Sequence, residues 1–165
     1  MADYSKIKLV HCKGGVGVVI ENYPYAGTIT WDGLIRPKNN QDKILEAAKK
    51  IANSKKVSYS MDENWGLFNH FVNGGSVNSI PQTTSDCSAF IASIFAAVGG
   101  MGITQVHTTA YMLTSYPSTH FDIKDRAYAS NPANWRAGDV LVAKAGSVLY
   151  STAGHAAMVY GDSNK

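Results

Sequence analysis

Several features that often decide a protein's class are scarce in this sequence. Only 16% of the 165 residues are charged and the net charge is +3, with no run of lysine and arginine interleaved with aromatics, so we expect no nucleic-acid partner. The longest apolar stretch, FIASIFAAV, is too short to cross a membrane, and no membrane partner is expected. The first residues lack the basic start and apolar segment of a signal peptide, which predicts synthesis in the cytoplasm.

Cysteine and metal-ligand patterns are equally sparse. The two cysteines, Cys12 and Cys87, are too few for a disulfide scaffold, and we expect both to be free thiols. No C-x-x-C or H-E-x-x-H motif is present, so no metal site is expected.

The apolar patterns that are present predict one α+β domain over residues 1–165, in which helices pack against an antiparallel sheet. Two β-branched runs around a glycine turn, IKLVHC and GVGVVIEN, predict a hairpin. Further strands are expected at GTITWDGLI, ending at Pro37, at GDVLVAKAG and at GHAAMVYG. Helices are expected at NNQDKILEAAKKIANSKK, at TSDCSAFIASIFAAVGG and, as a short one, before Pro117, whereas residues 57–83 predict a long loop that contains short elements.

Cys87 is the first candidate for chemistry. It follows Ser85 and Asp86, either of which is suited to cap the helix. At a helix N-terminus the unpaired N–H groups and the helix dipole favour a thiolate, and the same N–H groups can stabilise an oxyanion. From position alone, a small buried residue of the helix is the better interpretation.

Two histidines are candidates to act with that thiol. His155 follows Gly154 and opens a strand of small apolar residues, and His11 lies in a strand beside Cys12. A cysteine nucleophile needs a base, and the base needs a third group that orients it. Taken alone, each histidine is better interpreted as a structural or surface residue of a strand.

The order of these motifs resembles the papain-like cell-wall cysteine peptidases of the NlpC type, in which DCS opens a helix, GD-V opens a strand and GH precedes a small-apolar strand. The longer series KVSYSMD, DCS, HTTAYM, WRAGDVLV and GHAAMVY more closely resembles the Pal-type bacteriophage peptidoglycan amidases. The resemblance covers about residues 40–165, with an insertion between YSMD and DCS.

The resemblance implies a papain-like fold with the nucleophile at a helix N-terminus, and it implies roles for three residues. Cys87 would be the nucleophile, His155 the general base and then acid, and His11 the group that orients the His155 ring. The reaction would be hydrolysis of an amide in the stem peptide of bacterial peptidoglycan, through a thioester and without a cofactor. Both N-acetylmuramoyl-L-alanine amidases and endopeptidases that cut at D-glutamyl or D-glutaminyl bonds belong to this family.

Three further residues are expected near the substrate on the same grounds. The family lines its cleft with the residues on either side of the cysteine, here Asp86 and Ser88, and Tyr59 would lie near the thiol. A phage lysin of this kind is made in the cytoplasm and acts on the cell wall after release. We expect a monomer.

The family pattern continues after GHAAMVYGDSN with a strand of the form IIHC, a glycine turn and a strand of the form GISVN. Here the corresponding pieces stand first, as KLVHCKGGVGVVIENY. The resemblance therefore implies a circular permutant, with the permuted C-terminal strands in residues 1–37 and the helices and core of the site in 40–165. It predicts that the His11 strand pairs with the His155 strand, and that residues 34–43 run as a surface connection.

Other functions fit the same pattern. The chain could be a wall-binding module that has lost activity, although Cys87, His155 and His11 are all present. It could also be a thiol acyltransferase on the same scaffold, although such proteins place the histidine before the cysteine and carry apolar membrane-facing segments. A dimer that swaps its first strands is the alternative to a monomer.

Overall fold

The computed structural model describes residues 4–148 and 153–162. Its strands are β1 (Lys8–Lys13), β2 (Gly17–Asn22), β3 (Gly33–Pro37), β4 (Val57–Tyr59), β5 (Thr83–Ser85), β6 (Phe121–Lys124), β7 (Val140–Ala143) and β8 (His155–Gly161). Its helices are α1 (Gln41–Ser54), α2 (Gly66–Val72), α3 (Cys87–Val98), α4 (Met112–Ser115) and α5 (Arg126–Ala129). No helix among these residues is long and apolar enough to span a membrane.

Six strands form one sheet in the order β2-β1-β8-β7-β3-β6, and every neighbouring pair is antiparallel. A second, two-stranded sheet pairs β4 with β5 in parallel. The fold is thus a mixture of helices and an antiparallel sheet. The first strand of the chain lies beside the last, with Leu9 opposite Val159 and Lys8 opposite Gly161.

The N-terminal hairpin forms as its sequence predicts. Lys13 pairs with Gly17 at the end of the ladder, and the turn uses Gly15 at φ 78°, a backbone angle that favours glycine. Because β1 continues the hairpin on one side and pairs with β8 on the other, it lies inside the sheet rather than at its edge. His11 is fully buried as a result.

The prediction that residues 34–43 form a plain surface connection is wrong for the first part of that segment. Residues 33–37 are a buried strand between β7 and β6. The charged side chain of this strand, Arg36, is paired: its Nε and Nη2 donate to the Asp139 carboxylate at 2.9 and 2.8 Å. A bidentate partner and a further bond to the Tyr128 hydroxyl satisfy the guanidinium inside the fold.

The two long helices pack on one face of the sheet. In α1, the apolar residues at helical spacing, Ile44, Ala47, Ala48 and Ile51, are all buried. In α3, every residue from Cys87 to Phe95 is buried, and Gly99 ends the helix with φ 81°. Each large apolar side chain buried in this way contributes roughly 1.5–3 kcal/mol, so packing rather than helix propensity holds the helices in place.

Both faces of the sheet are covered, which explains why its strands are so apolar. Val10 and Cys12 of β1 join the core under α1 and α3. Leu9 and Val159 join a second core around Trp135 on the other face. Since side chains alternate along a strand, His11 shares the face of Leu9.

Some helices and strands of the structure were not predicted from the sequence. The segment 57–83 contains β4, α2 and the start of β5, and neither β6 nor α5 is visible as a pattern. The short helix expected before Pro117 is the single turn of α4. The third strand begins at Gly33 rather than in the GTIT stretch, where Ile29 makes one isolated bridge to Val148.

Candidate active site

Cys87 is the first residue of α3, held there by the cap before it. The Asp86 carboxylate accepts from Ala89 N–H at 2.8 Å and from Ser88 Oγ at 3.2 Å through one oxygen. Its other oxygen accepts from Asn64 Nδ2 at 2.8 Å. Asp86 and Ser88 are therefore both next to the thiol, as the resemblance implies, but both are buried and their polar atoms already bond within the protein.

The thiol of Cys87 is protonated in this environment. Burial raises its pKa to about 11 and the Asp86 charge adds to this, whereas backbone interactions with Ala156, Ser88 and Cys87 itself act in the opposite direction. The expectation that this pKa lies below that of a free cysteine is therefore not met. Desolvation outweighs the helix N-terminus at a side chain that is only 8% exposed.

The two candidate histidines meet between β1 and β8. His11 Nδ1 lies 3.0 Å from His155 Nε2, and the rings are tilted edge to face. Burial, followed by the charges of His11 and Lys13, lowers the pKa of His155 to about 3. The His155 ring is therefore neutral near pH 7, which is the form that can accept a proton.

Glu21 and Tyr25 complete this cluster, and neither was singled out in the sequence. Glu21 Oε2 lies 2.6 Å from His11 Nε2 and also 2.8 Å from Lys13 Nζ. The Tyr25 hydroxyl lies 3.0 Å from His11 Nδ1 and 3.2 Å from His155 Nε2, so it touches both rings. His11 Nδ1, His155 Nε2 and the Tyr25 hydroxyl therefore all have hydrogen-bond partners within the protein.

A signal for Glu21 exists in the predicted hairpin. His11 is opposite Val19 and Leu9 is opposite Glu21, so Glu21 is the diagonal neighbour of His11 on the same face of the sheet. Alternation of side chains therefore identifies Glu21 once the hairpin register is known. Tyr25 follows the end of β2 in a segment without periodicity, and no sequence pattern indicates it.

The thiol approaches the histidine pair around the start of β8. Helix α3 packs on one face of the sheet and the histidines lie on the other. At the end of the sheet, however, Cys87 lies against the backbone of Ala156. Burial, the charge of Glu21 and then the charge of Cys87 raise the pKa of Tyr25, which places Cys87 near the histidine cluster. Among the hydrogen bonds of the described residues there is none between the thiol and the His155 ring, a contact that in such sites often tightens only with substrate.

Tyr59 lies beside the thiol, as the resemblance implies. It ends β4 and pairs with Ser85 of β5, two residues before Cys87. Burial raises the pKa of Tyr59 to about 12, and the charges of Cys87 and Asp86 contribute to the shift. Its hydroxyl therefore stays protonated and is available as a donor.

The glycine before His155 is required by close packing. A Cβ at Gly154 would lie 2.3 Å from Thr109 Oγ1 and 2.4 Å from the Ala143 carbonyl oxygen. The GH pair is thus explained: only glycine lets the loop around Thr109 press against the chain at the point where His155 begins.

Cys12 is also a free, buried thiol, and the two cysteines do not form a disulfide. Burial, with the charges of Cys87 and Asp86, raises its pKa to about 12. Within residues 4–148 and 153–162, no group of three His, Cys, Asp or Glu side chains is placed to hold a metal ion.

Comparison with known proteins identifies the family. The family model described as an endolysin-like domain matches residues 13–158, which is most of the chain, and the protein belongs to this family. The match includes Cys87 and His155 and places β2 and β3 ahead of them, whereas His11 lies two residues before it. No curated protein and no solved structure matches the chain. Membership supports a phage endolysin-like role that is directed at the peptidoglycan of the cell wall.

Proposed function

We propose that the protein is a cysteine amidohydrolase that cleaves an amide bond in the stem peptide of peptidoglycan. The observation that supports this best is the contact of His11 with His155 on neighbouring strands. A cysteine at a helix N-terminus, Cys87, lies against the backbone of Ala156, the residue after His155. These three side chains supply a base, its orienting group and a nucleophile, which is the minimum set for amide hydrolysis through a thioester.

In the proposed mechanism, His155 Nδ1 removes the proton of Cys87 as the sulfur attacks the carbonyl carbon of the scissile amide. The N–H groups at the start of α3 and the Tyr59 hydroxyl stabilise the oxyanion that develops. The protonated His155 then gives its proton to the leaving amine, and the thioester forms. Water, deprotonated by His155, hydrolyses the thioester to a carboxylic acid and restores the thiol.

The protonation states of the site fit general-base catalysis rather than a resting ion pair. Burial keeps both Cys87 and His155 in their neutral forms, with pKa values of about 11 and about 3. The proton therefore moves during the attack itself. As the proton moves, negative charge develops on the oxygen of a substrate carbonyl that lies beside the helix N-terminus, where the N–H groups stabilise it.

Digestion of purified cell walls, followed by mass spectrometry of the fragments, tests this proposal. An N-acetylmuramoyl-L-alanine amidase would release stem peptides with a free N-terminal alanine, and an endopeptidase would cut after the D-glutamyl or D-glutaminyl residue. Cys87→Ala serves as the inactive control. Wall hydrolysis by that variant, or none by the wild type, would contradict the proposal; wall binding without hydrolysis by the wild type would indicate a binding module.

We also propose that the fold is a papain-like NlpC-type fold in circularly permuted order. Two observations support this: β1 is seated beside β8, and the endolysin-like family match contains β2 and β3 ahead of α3. The permuted order is then a property of the family rather than of this chain. Opening the chain at 38–40 and joining the ends next to Lys8 and Gly161 should give a folded, active protein, because the joined residues are already paired. A variant that does not fold would contradict the permutation.

A further inference from the structure

A chain of hydrogen bonds that starts at Glu21 determines where the protons sit on both histidines. Glu21 Oε2 lies 2.6 Å from His11 Nε2 and 2.8 Å from Lys13 Nζ. Hydrogen bonds from Lys13 and His11 outweigh the effect of burial and leave the pKa of Glu21 below its ordinary value, so it is a carboxylate near pH 7. A carboxylate only accepts hydrogen bonds, and therefore His11 Nε2 carries a hydrogen.

The position of the hydrogen on the His155 ring follows from its position on the His11 ring. Burial lowers the pKa of His11 despite the opposing effect of Glu21, so the ring is neutral near pH 7 and its Nδ1 is an acceptor. His155 Nε2, 3.0 Å away, must then be the donor, since two acceptors at that distance would repel each other. A neutral His155 that carries its hydrogen on Nε2 has an unprotonated Nδ1.

Tyr25 is compatible with this arrangement but does not decide it, because a hydroxyl can both donate and accept; the direction is determined by Glu21. Its hydroxyl lies 3.0 Å from His11 Nδ1 and 3.2 Å from His155 Nε2. It can donate to the first nitrogen or accept from the second, and both directions agree with the assignment above. His11 has no exposed surface, so water does not compete with Glu21 for its Nε2 hydrogen.

We infer that Glu21 is a positioning residue that sets the tautomer of His155 through His11, and so leaves His155 Nδ1 free to take the proton of Cys87. The inference rests on the proposed function for the use of that nitrogen, but the tautomers themselves do not depend on activity. Without an acceptor at position 21, His11 is free to carry its hydrogen on Nδ1. It would then donate to His155 Nε2, and the hydrogen of His155 would occupy the nitrogen that must act as the base.

Two substitutions of equal length separate this role from packing. Glu21→Gln keeps an acceptor. Because the Lys13 ammonium group only donates, the amide oxygen of Gln must lie next to Lys13 Nζ. That same position faces His11 Nε2, so the oxygen also accepts from His11. Glu21→Met keeps the length but offers His11 no comparable acceptor. Glu46→Met is the matched control, since Glu46 is an exposed carboxylate on α1 that pairs with Lys50.

Long-range ¹H–¹⁵N correlation spectra of the histidine rings and the steady-state kinetics of wall hydrolysis are the two measurements. Signals of the five histidines are assigned by single substitutions. In the wild type, Glu21→Gln and Glu46→Met, His11 and His155 should both carry hydrogen on Nε2. In Glu21→Met, His155 should shift to the Nδ1-protonated form, and kcat should fall at least about tenfold, within the factor of about 100 to 10,000 that a positioned general base supplies. KM should stay nearly constant because Glu21 acts through His11, to which its carboxylate is bonded.

Several results would overturn the inference. They are an Nδ1-protonated His155 in the wild type, an unchanged His155 tautomer in Glu21→Met, or an equal loss of kcat in the Gln and Met variants. If Glu21→Met does not fold, the wild-type and Gln spectra still decide. A wild-type protein with the expected tautomers that cuts no wall would instead contradict the proposed function and leave the tautomer assignment intact.

Discussion

Asp86 has two effects that point in opposite directions, and two substitutions at this position separate them. Its carboxylate caps α3 through Ala89 N–H and also accepts from Ser88 and Asn64. Its charge raises the pKa of the neighbouring Cys87 thiol, after the larger effect of burial. Asp86→Ala removes the cap and the charge, whereas Asp86→Asn removes only the charge, because asparagine is as good an N-cap as aspartate.

The stability effect follows from the bonds that are lost. Loss of an N-cap costs about 0.5–2 kcal/mol, and the buried donors left without an acceptor bring the cost of Asp86→Ala to about 1–3 kcal/mol. For a chain of this size each kcal/mol corresponds to about 2–4 °C, so the melting temperature should fall by about 2–12 °C. Asp86→Asn should cost less than about 0.5 kcal/mol, since its carbonyl oxygen keeps the bonds to Ala89 and Ser88 and the Asn64 amide can turn to face the new NH₂ group.

The charge effect is measured by the pH dependence of iodoacetamide labelling at Cys87. Both variants lack a negative charge beside the sulfur, so the apparent pKa of Cys87 should fall in both and labelling near neutral pH should become faster. Calorimetry and labelling together therefore test the two effects independently. An Asp86→Asn protein as unstable as Asp86→Ala would refute the cap argument, and an unchanged or higher pKa of Cys87 in Asp86→Asn would refute the electrostatic one.

Four further predictions concern the candidate site. Cys87→Ala and His155→Ala should each abolish wall hydrolysis, with the fold intact by circular dichroism. Because nucleophile and base act as a unit, the double variant should be no worse than either single variant, and additive losses would contradict this. His11→Ala should retain more activity than His155→Ala in the same assay, because an orienting group is partly replaceable by water. Iodoacetamide should label Cys87 faster than Cys12 in the native protein, because their pKa values are about 11 and about 12. If peptide mapping finds Cys12 modified first, the assignment of Cys87 as the nucleophile is contradicted. Gly154→Ala should lower the melting temperature and the hydrolysis rate together, because its Cβ would lie 2.3 Å from Thr109 Oγ1, and unchanged values would show that the loop yields easily.

The elements with a clear period were predictable from the sequence. The hairpin of β1 and β2, the apolar stripe of α1 and the cap and glycine end of α3 all follow from local patterns. Strand β3 was predicted, but its burial was not: the inferred permutation placed residues 34–43 on the surface, whereas Arg36 is buried through its pairing with the distant Asp139. A partner 103 residues away cannot be read from local composition.

The candidate site shows the same division. Cys87, His155 and His11 stand in recognisable motifs, but their protonation depends on how much water the fold removes, which no motif records. Burial therefore reversed the expected shift in the pKa of Cys87. Nor does any motif indicate that the thiol and the histidines lie on different faces of the sheet, or that Cys87 lies against the backbone where β8 begins.

The pairing of β1 with β8 also has a consequence for how the protein folds. The two histidines are 144 positions apart in the chain, so their contact closes nearly the longest loop that this chain can make. Contacts of such high sequence separation form slowly, because the entropy of loop closure is lost before any contact compensates for it. During synthesis, α3 with its thiol emerges well before β8, and the His155 ring arrives only with the last strand. Under the proposed function, the nascent chain therefore carries Cys87 before it carries His155, and hydrolysis requires that β8 has paired with β1.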